Sequence, residues 1–169
     1  MARLQLLYTD FHAPQPVCDR LSLAVSRLTA ATDGSADNPG PGPGGWAWVT
    51  GEGTWVWGNH PETTHNRMEL TAVLMLLKSH PDRPLLIQAE YLVINIFTDL
   101  LNGWRKDGRR PANRRPLKNN DLIEQIDTLL VGKDIKWELV KAHTGHLLNE
   151  SADRLAGFAR LQGKLGHWR

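Results

Sequence analysis

The sequence predicts an α/β domain: a five-stranded mixed sheet, three antiparallel strands followed by parallel ones, with helices on both faces. Three observations carry this. Two short segments in which tryptophan alternates with small residues follow a β-compatible run that ends in Thr32-Asp33-Gly34-Ser35. Four later segments space their apolar residues as helices do, and two short strand-like runs interrupt them. The resulting order, β-β-β-α-β-α-α-β-α, implies one mixed sheet covered by helices. A length of 169 residues suits one domain, because a chain of this size buries enough surface for a single core. Its 41% hydrophobic and 22% charged residues are globular values, which exclude a disordered chain.

Residues 1–25 show no sustained helix or strand period and read as an N-terminal extension. The domain spans residues 26–160, and residues 161–169 read as a C-terminal tail. The first strand begins near Arg27 and leaves Asp33 at its end, and the glycine- and proline-rich segment Asn38 to Gly45 follows as a loop. Trp46, Trp48, Trp55 and Trp57 flank the turn Gly51-Glu52-Gly53 as a hairpin with one aromatic face. Most of these tryptophans are expected in the core or half-buried in the sheet, in preference to base-stacking platforms. Thr63 or Thr64 caps a helix whose apolar face is Met68, Val73, Leu76 and Leu77, ending near Ser79 before Pro81. Pro84 to Ala89 is a short buried strand. Tyr91 to Trp104 has helical spacing, and Asp121 to Leu130 is a helix capped by Asn119 or Asn120. A turn at Gly132-Lys133-Asp134 leads to a last strand from Ile135 to Lys141. Leu148 to Ala159 forms a final helix burying Leu148, Ala152, Leu155 and Ala159.

The single cysteine, Cys18, excludes a disulfide framework or cysteine zinc site within the chain and points to a reducing compartment. Met1 to Ala31 lacks the features of a secretory signal, and no run approaches the ~18 apolar residues of a membrane span. A soluble cytoplasmic protein is expected, monomeric by default for its size. The net charge is only +2, but Arg105, Lys106, Arg109, Arg110, Arg114, Arg115 and Lys118 crowd one segment with a single acid, Asp107. Such a patch suits a phosphate backbone; a solvated loop is the plainer alternative.

Asp33 ends a strand, Glu69 lies in the first turns of a helix, Glu90 follows a strand and Asp153 lies in the last helix. Strand ends that meet helix residues could gather these carboxylates. Several acids in one place are held at neutral pH only by cations or by protonation. Mg²⁺ is the expected occupant, since it prefers oxygen ligands and is held by few carboxylates plus water and phosphate.

The ordered series Thr32-Asp33-Gly34-Ser35, Asn38-Pro39-Gly40, Thr63-Thr64-His65-Asn66-Arg67-Met68-Glu69-Leu70 and Val140-Lys141-Ala142-His143-Thr144-Gly145-His146, with Asn149-Glu150 and Asp153, resembles the motif series of type 1 ribonuclease H, bacterial in kind. The likeness runs from about Arg27 to Ala159. It implies a ribonuclease H-like fold and an endonuclease that cuts the RNA strand of an RNA–DNA hybrid with Mg²⁺, for which Mn²⁺ is a possible substitute. On the same footing Asp33, Glu69 and Asp153 would bind metal, and His143 would assist proton transfer or product departure. Asn38 and Asn66 would touch the hybrid, alongside ordinary turn and cap roles. A surface loop histidine is the alternative for His143.

The third carboxylate departs from the family pattern. The family ends its fourth strand with Asp-Ser before a Tyr-Val pair, whereas this chain reads Gln88-Ala89-Glu90-Tyr91-Leu92-Val93. An ungapped count back from Trp104 puts Ala89 at the aspartate position, and one deletion puts Glu90 there. Glu90 is favoured, because a glutamate has the reach to offset a shifted backbone; with Ala89, a metal ligand would be missing. The basic segment resembles the protruding substrate-binding region of bacterial members, in which Trp104 and the arginines would grip DNA phosphates, with Arg109 where many have tryptophan. Phosphate contacts position a duplex without reading sequence, and contacts to 2′-hydroxyls identify the RNA strand. Cutting would therefore be largely sequence-independent.

Two other classes compete with this reading. One is a hybrid-binding protein of the same fold that lost catalysis with its third ligand, and the other is a transposase-like nuclease on the same core. Cleavage of a hybrid, set against cleavage of duplex DNA, separates the three.

Overall fold

The computed structural model describes residues 26–37, 41–101, 118–141 and 145–169. The chain forms β1 (Leu28–Ala36), β2 (Gly42–Thr50), β3 (Trp55–Thr63), α1 (His65–Ser79), β4 (Leu85–Ala89) and α2 (Tyr91–Asn95). The last of these widens into a π-helical turn at Ile96–Leu100, and α3 (Asn120–Leu130), β5 (Ile135–Leu139) and α4 (Leu147–Lys164) complete the order. The strands lie in one sheet as β3-β2-β1-β4-β5. β1 pairs antiparallel with β2 and β2 with β3, while β1–β4 and β4–β5 are parallel. This is the expected five-stranded mixed sheet, with helices on both of its faces.

Alternation along the strands divides the core. Leu28 and Ala30 of β1, Leu85, Ile87 and Ala89 of β4, and Trp48 of β2 face α1, α2 and α3, where Leu70, Val73, Leu77, Val93 and Ile126 complete the larger core. Ala31 of β1 and Val49 of β2 face α4 and meet Ala152 there. The period-2 strands thus feed two layers at once, as an α/β sheet must when both its faces are covered.

α1 starts after Thr64, whose backbone is extended and whose side chain makes no capping bond; the Thr64 carbonyl instead accepts the N–H groups of Arg67 and Met68. At its other end, the His80 ring meets Trp48 edge-on at 5.3 Å between centroids, and Pro81 stops the helix. α3 is preceded by Asn119 in the left-handed region, φ 63°. Among the described residues no helix is long and apolar enough to cross a membrane.

Asp33 does not end its strand, because β1 runs on to Ala36 in continued pairing with β2. Four further details differ from the sequence reading. The four hairpin tryptophans do not share one face: Trp48 is paired with Val56 and Trp46 with Gly58, whereas Trp57 is paired with Ala47 and Trp55 with Val49. Directly paired residues share a face, so Trp46 and Trp48 point toward α1, while Trp57 packs edge-on against Phe158 of α4 at 5.3 Å. Only Trp48 is fully buried, and Trp55 is 53% exposed. Second, Gly42 to Gly45 belong to β2 and not to the preceding loop. Their lack of side chains admits close neighbours there, for a Cβ on Gly45 would lie 2.3 Å from the Arg160 backbone nitrogen of α4. Third, β5 stops at Leu139, two residues before Lys141. Fourth, α4 continues past Ala159 to Lys164.

The residues after α4 pack back on β3. The Asn59 side chain donates to the carbonyls of Ala159 and His167 at 3.1 and 2.9 Å and accepts the Arg169 N–H at 2.9 Å. The Arg169 guanidinium lies over the Trp57 ring, 4.8 Å from its centroid.

Candidate active site

The parallel pairing of β1 and β4 sets Ala31 opposite Gln88. Two residues further on stand Asp33, within β1 but beyond its last parallel pair with β4, and Glu90, just past the end of β4, so both carboxylates come to the carboxyl edge of the β1–β4 pair. Ligands of open α/β sheets bind at that edge. Ala89, the other candidate for the third position, is fully buried and belongs to the larger apolar core, paired with Leu139 of β5. Glu90 is the residue immediately before α2 and is half-buried.

Glu69 comes to the same place from α1. Gly34 makes this possible, because β1 and α1 approach so closely that a Cβ at position 34 would lie 2.2 Å from the Glu69 backbone nitrogen. The Gly34 N–H donates to Glu69 Oε1 at 3.1 Å. Asp33 and Glu69 are only 5% and 1% exposed, a level of burial that ionised carboxylates tolerate only with compensation. Asp153 is carried by α4, which packs on the opposite face of the sheet from α1.

The electrostatics are those of crowded, desolvated acids. Burial first, then the charges of Asp153 and Glu90, push the Asp33 carboxyl up to about 8, against hydrogen bonds with Glu69 and the Gly34 amide that lower it. Burial and then the charges of Asp33 and Glu90 hold Glu69 well above the usual glutamate range. Glu69 Oε2 is buried without a hydrogen-bond partner. A divalent cation fits this environment: it offers the orphaned oxygen a partner and cancels the repulsion that raises both acids. Taken alone, the carboxylate oxygens suit a hard ion.

One donor was not singled out by sequence reasoning. His65 opens α1, and its Nε2 lies 3.5 Å from Glu69 Oε1. Among the described residues, one ligand atom from each of His65, Glu69 and Glu90 lies within 4.8 Å of the other two. The i,i+4 spacing of His65 and Glu69 was the available signal, since such residues are neighbours on a helix surface.

Of the expected hybrid contacts, Asn66 is exposed beside His65, and Lys118 is exposed just before α3. Arg67 ties α1 to the start of α3 through paired bonds to Asp121 at 3.0 and 2.7 Å. Asn38, His143, Trp104, Arg105, Lys106, Arg109, Arg110, Arg114 and Arg115 lie outside the described residues.

Comparison with known proteins agrees with the geometry. The RNase H family model matches residues 26–160. A Ribonuclease H of Tropheryma whipplei (strain Twist) is 43% identical over 135 residues, covering 78% of this chain and 83% of the relative. Among solved structures, a type 1 RNase H with the type 2 active-site motif superposes with a TM-score of 0.66 at 24% identity, over 82% of this chain and 75% of that one. The foamy viral protease-reverse transcriptase in complex with RNA/DNA hybrid gives a TM-score of 0.66 at 22% identity, over 88% of this chain and 22% of that one. At such identities the two structures speak for the fold alone.

Proposed function

The chain belongs to the RNase H family, and from that membership we propose that it is an endonuclease that hydrolyses the RNA strand of RNA–DNA hybrids, leaving 5′-phosphate and 3′-hydroxyl ends. The observation that carries this reading is the pairing of two buried acids, Asp33 and Glu69, within the electrostatic reach of Glu90. Such an arrangement is stable at neutral pH chiefly as a cation site. Asp33, Glu69, Glu90 and Asp153 would hold two divalent cations, Mg²⁺ or Mn²⁺. When bound, these cations supply an activated water and neutralise charge at the departing 3′-oxygen.

The chain's own residues do the positioning. The charges of Asp153 and Glu90 act on Asp33, which also shares a hydrogen bond with Glu69, so Asp33 would be a ligand to the bound cations. The Gly34 amide orients Glu69 by holding Oε1, while Oε2 stays buried without a hydrogen-bond partner. Glu90, from the end of β4, replaces the aspartate of the family pattern, and the core packing of Ala89 supports that assignment over a vacant position. His143 would move a proton or help product leave. Asn38 and Asn66 would contact the hybrid, and Trp104, Arg105, Lys106, Arg109, Arg110, Arg114, Arg115 and Lys118 would grip phosphates, so that binding weakens steeply with salt.

The test is cleavage of a labelled RNA–DNA hybrid with Mg²⁺, with duplex DNA and duplex RNA as controls and Glu90→Ala beside the wild type. Cutting confined to the hybrid and lost in Glu90→Ala is the expected result. Tight hybrid binding without cutting, in either Mg²⁺ or Mn²⁺, would instead favour a hybrid-binding protein.

A further inference from the structure

We propose that His65 is a metal-ligating residue, which gives the carboxylate site a nitrogen donor and makes it take Zn²⁺ in preference to Mg²⁺. This rests on the reading of the site as a cation-binding cluster and goes beyond it in naming a ligand and a selectivity. The side chain belongs to the first residue of α1, and its Nε2 stands 3.5 Å from Glu69 Oε1. That contact alone is what any i,i+4 pair on a helix can make. Two further observations lift it above a surface ion pair. Glu90 reaches the same point from a different element, with its ligand atom within 4.8 Å of those of His65 and Glu69. In addition, Glu69 is 1% exposed and its Oε2 has no partner, so His65 and the Gly34 amide together leave the carboxylate incompletely satisfied.

The donor set then decides the ion. Mg²⁺ takes oxygen ligands and gives up water reluctantly. Imidazole suits later first-row ions, and affinity rises along that series toward zinc and copper. Zinc accepts both imidazole nitrogen and carboxylate oxygen, and its catalytic sites keep an open position beside three protein ligands. Zn²⁺ seated by His65, Glu69 and Glu90 would occupy oxygens that Mg²⁺ needs, so the two ions would exclude one another. His65 is partly exposed, with 42% of its side chain accessible, which lets the ring turn toward an entering ion.

The full-length protein with ¹⁵N-labelled histidine is titrated with Zn²⁺ and followed by NMR, and Zn²⁺ and Mg²⁺ affinities are measured by calorimetry for wild type, His65→Asn and Glu69→Gln. The resonance that disappears in His65→Asn identifies the His65 ring among the chain's seven histidines. The expected result is a shift of that ring's Nε2 signal with Zn²⁺ and a loss of Zn²⁺ affinity of about tenfold or more in His65→Asn, with Mg²⁺ affinity changing far less. An unmoved His65 signal, or equal Zn²⁺ affinity in His65→Asn, overturns the inference. If Glu69→Gln still loses both ions in that case, the cation-site reading stands without it; if the wild type binds neither ion, both fall.

Discussion

The backbone N–H of Gly34 donates to Glu69 Oε1 across 3.1 Å, through a gap between β1 and α1 that no side chain at position 34 can enter. The strand that carries Asp33 and the helix that carries Glu69 are therefore held together by the absence of a single carbon. In Gly34→Ala the new Cβ would lie 2.2 Å from the Glu69 backbone nitrogen, and backbone does not yield as a flexible side chain does. A stability loss of about 3 kcal/mol is expected in urea titration. Cleavage should fall by more than the folded fraction explains, because Asp33 and Glu69 separate.

Asp33→Asn tests the charge balance of the site. In the metal-free protein the folded Asp33 carboxyl is raised to about 8 from an ordinary 3.8, so the folded chain binds this proton more tightly than the unfolded chain does. Stability from this group is fully present below the unfolded value, and it declines as the pH rises through about 8. In EDTA, Asp33→Asn should melt higher than wild type near pH 8, and the difference should shrink toward pH 4. It should also lose cleavage and the Mg²⁺-dependent rise in Tm while still binding hybrid. Retained turnover would sink the role given to Asp33.

Ala89→Asp separates the two alignments of the third carboxylate. Ala89 is fully buried among apolar side chains, where a carboxylate has no partner and no water. The substitution should cost about 3 kcal/mol or more by denaturant unfolding, and it should not rescue cleavage when combined with Glu90→Ala. Rescue would show that position 89 can serve the site.

Gly45→Ala reaches the site from the other face. Its Cβ would lie 2.3 Å from the Arg160 nitrogen and 2.4 Å from the Ala156 carbonyl oxygen, which pushes α4 off the sheet and carries Asp153 with it. A loss of about 2 to 3 kcal/mol is expected, together with weaker Mg²⁺ binding in calorimetry at temperatures where the variant remains folded.

Asn59→Ala is the contrasting case. It removes three side-chain hydrogen bonds that fasten the residues after α4 to β3, some of them exposed, so about 1 to 2 kcal/mol is expected. Hybrid cleavage below the melting transition should stay close to wild type, since no site residue is touched.

The element order, and the placing of Asp33 on the first strand and of Glu69 and Asp153 on two helices, were determined by the sequence alone, because hydrophobic period and turn residues are local properties. That the strand continues past Asp33 to Ala36 was decided by its pairing with β2. The residues that only tertiary structure could decide are those whose meaning depends on register or on a neighbour distant in the chain. Trp46 and Trp57 fall on opposite faces because β2 and β3 pair with Trp48 against Val56, and a shift of one residue reverses every side chain. Gly44 and Gly45 read as loop by composition, but they are strand residues because Thr63 and α4 press against them. Which of Ala89 and Glu90 faces the core is likewise a long-range matter: Ala89 is buried there, paired with Leu139 of β5. His65 carried no signal beyond its spacing to Glu69, and it became a candidate ligand only when the end of β4 delivered Glu90 beside it. Local chemistry is written along the chain, whereas the convergence of donors exists only after long-range pairing has brought strand ends and helix starts to one edge.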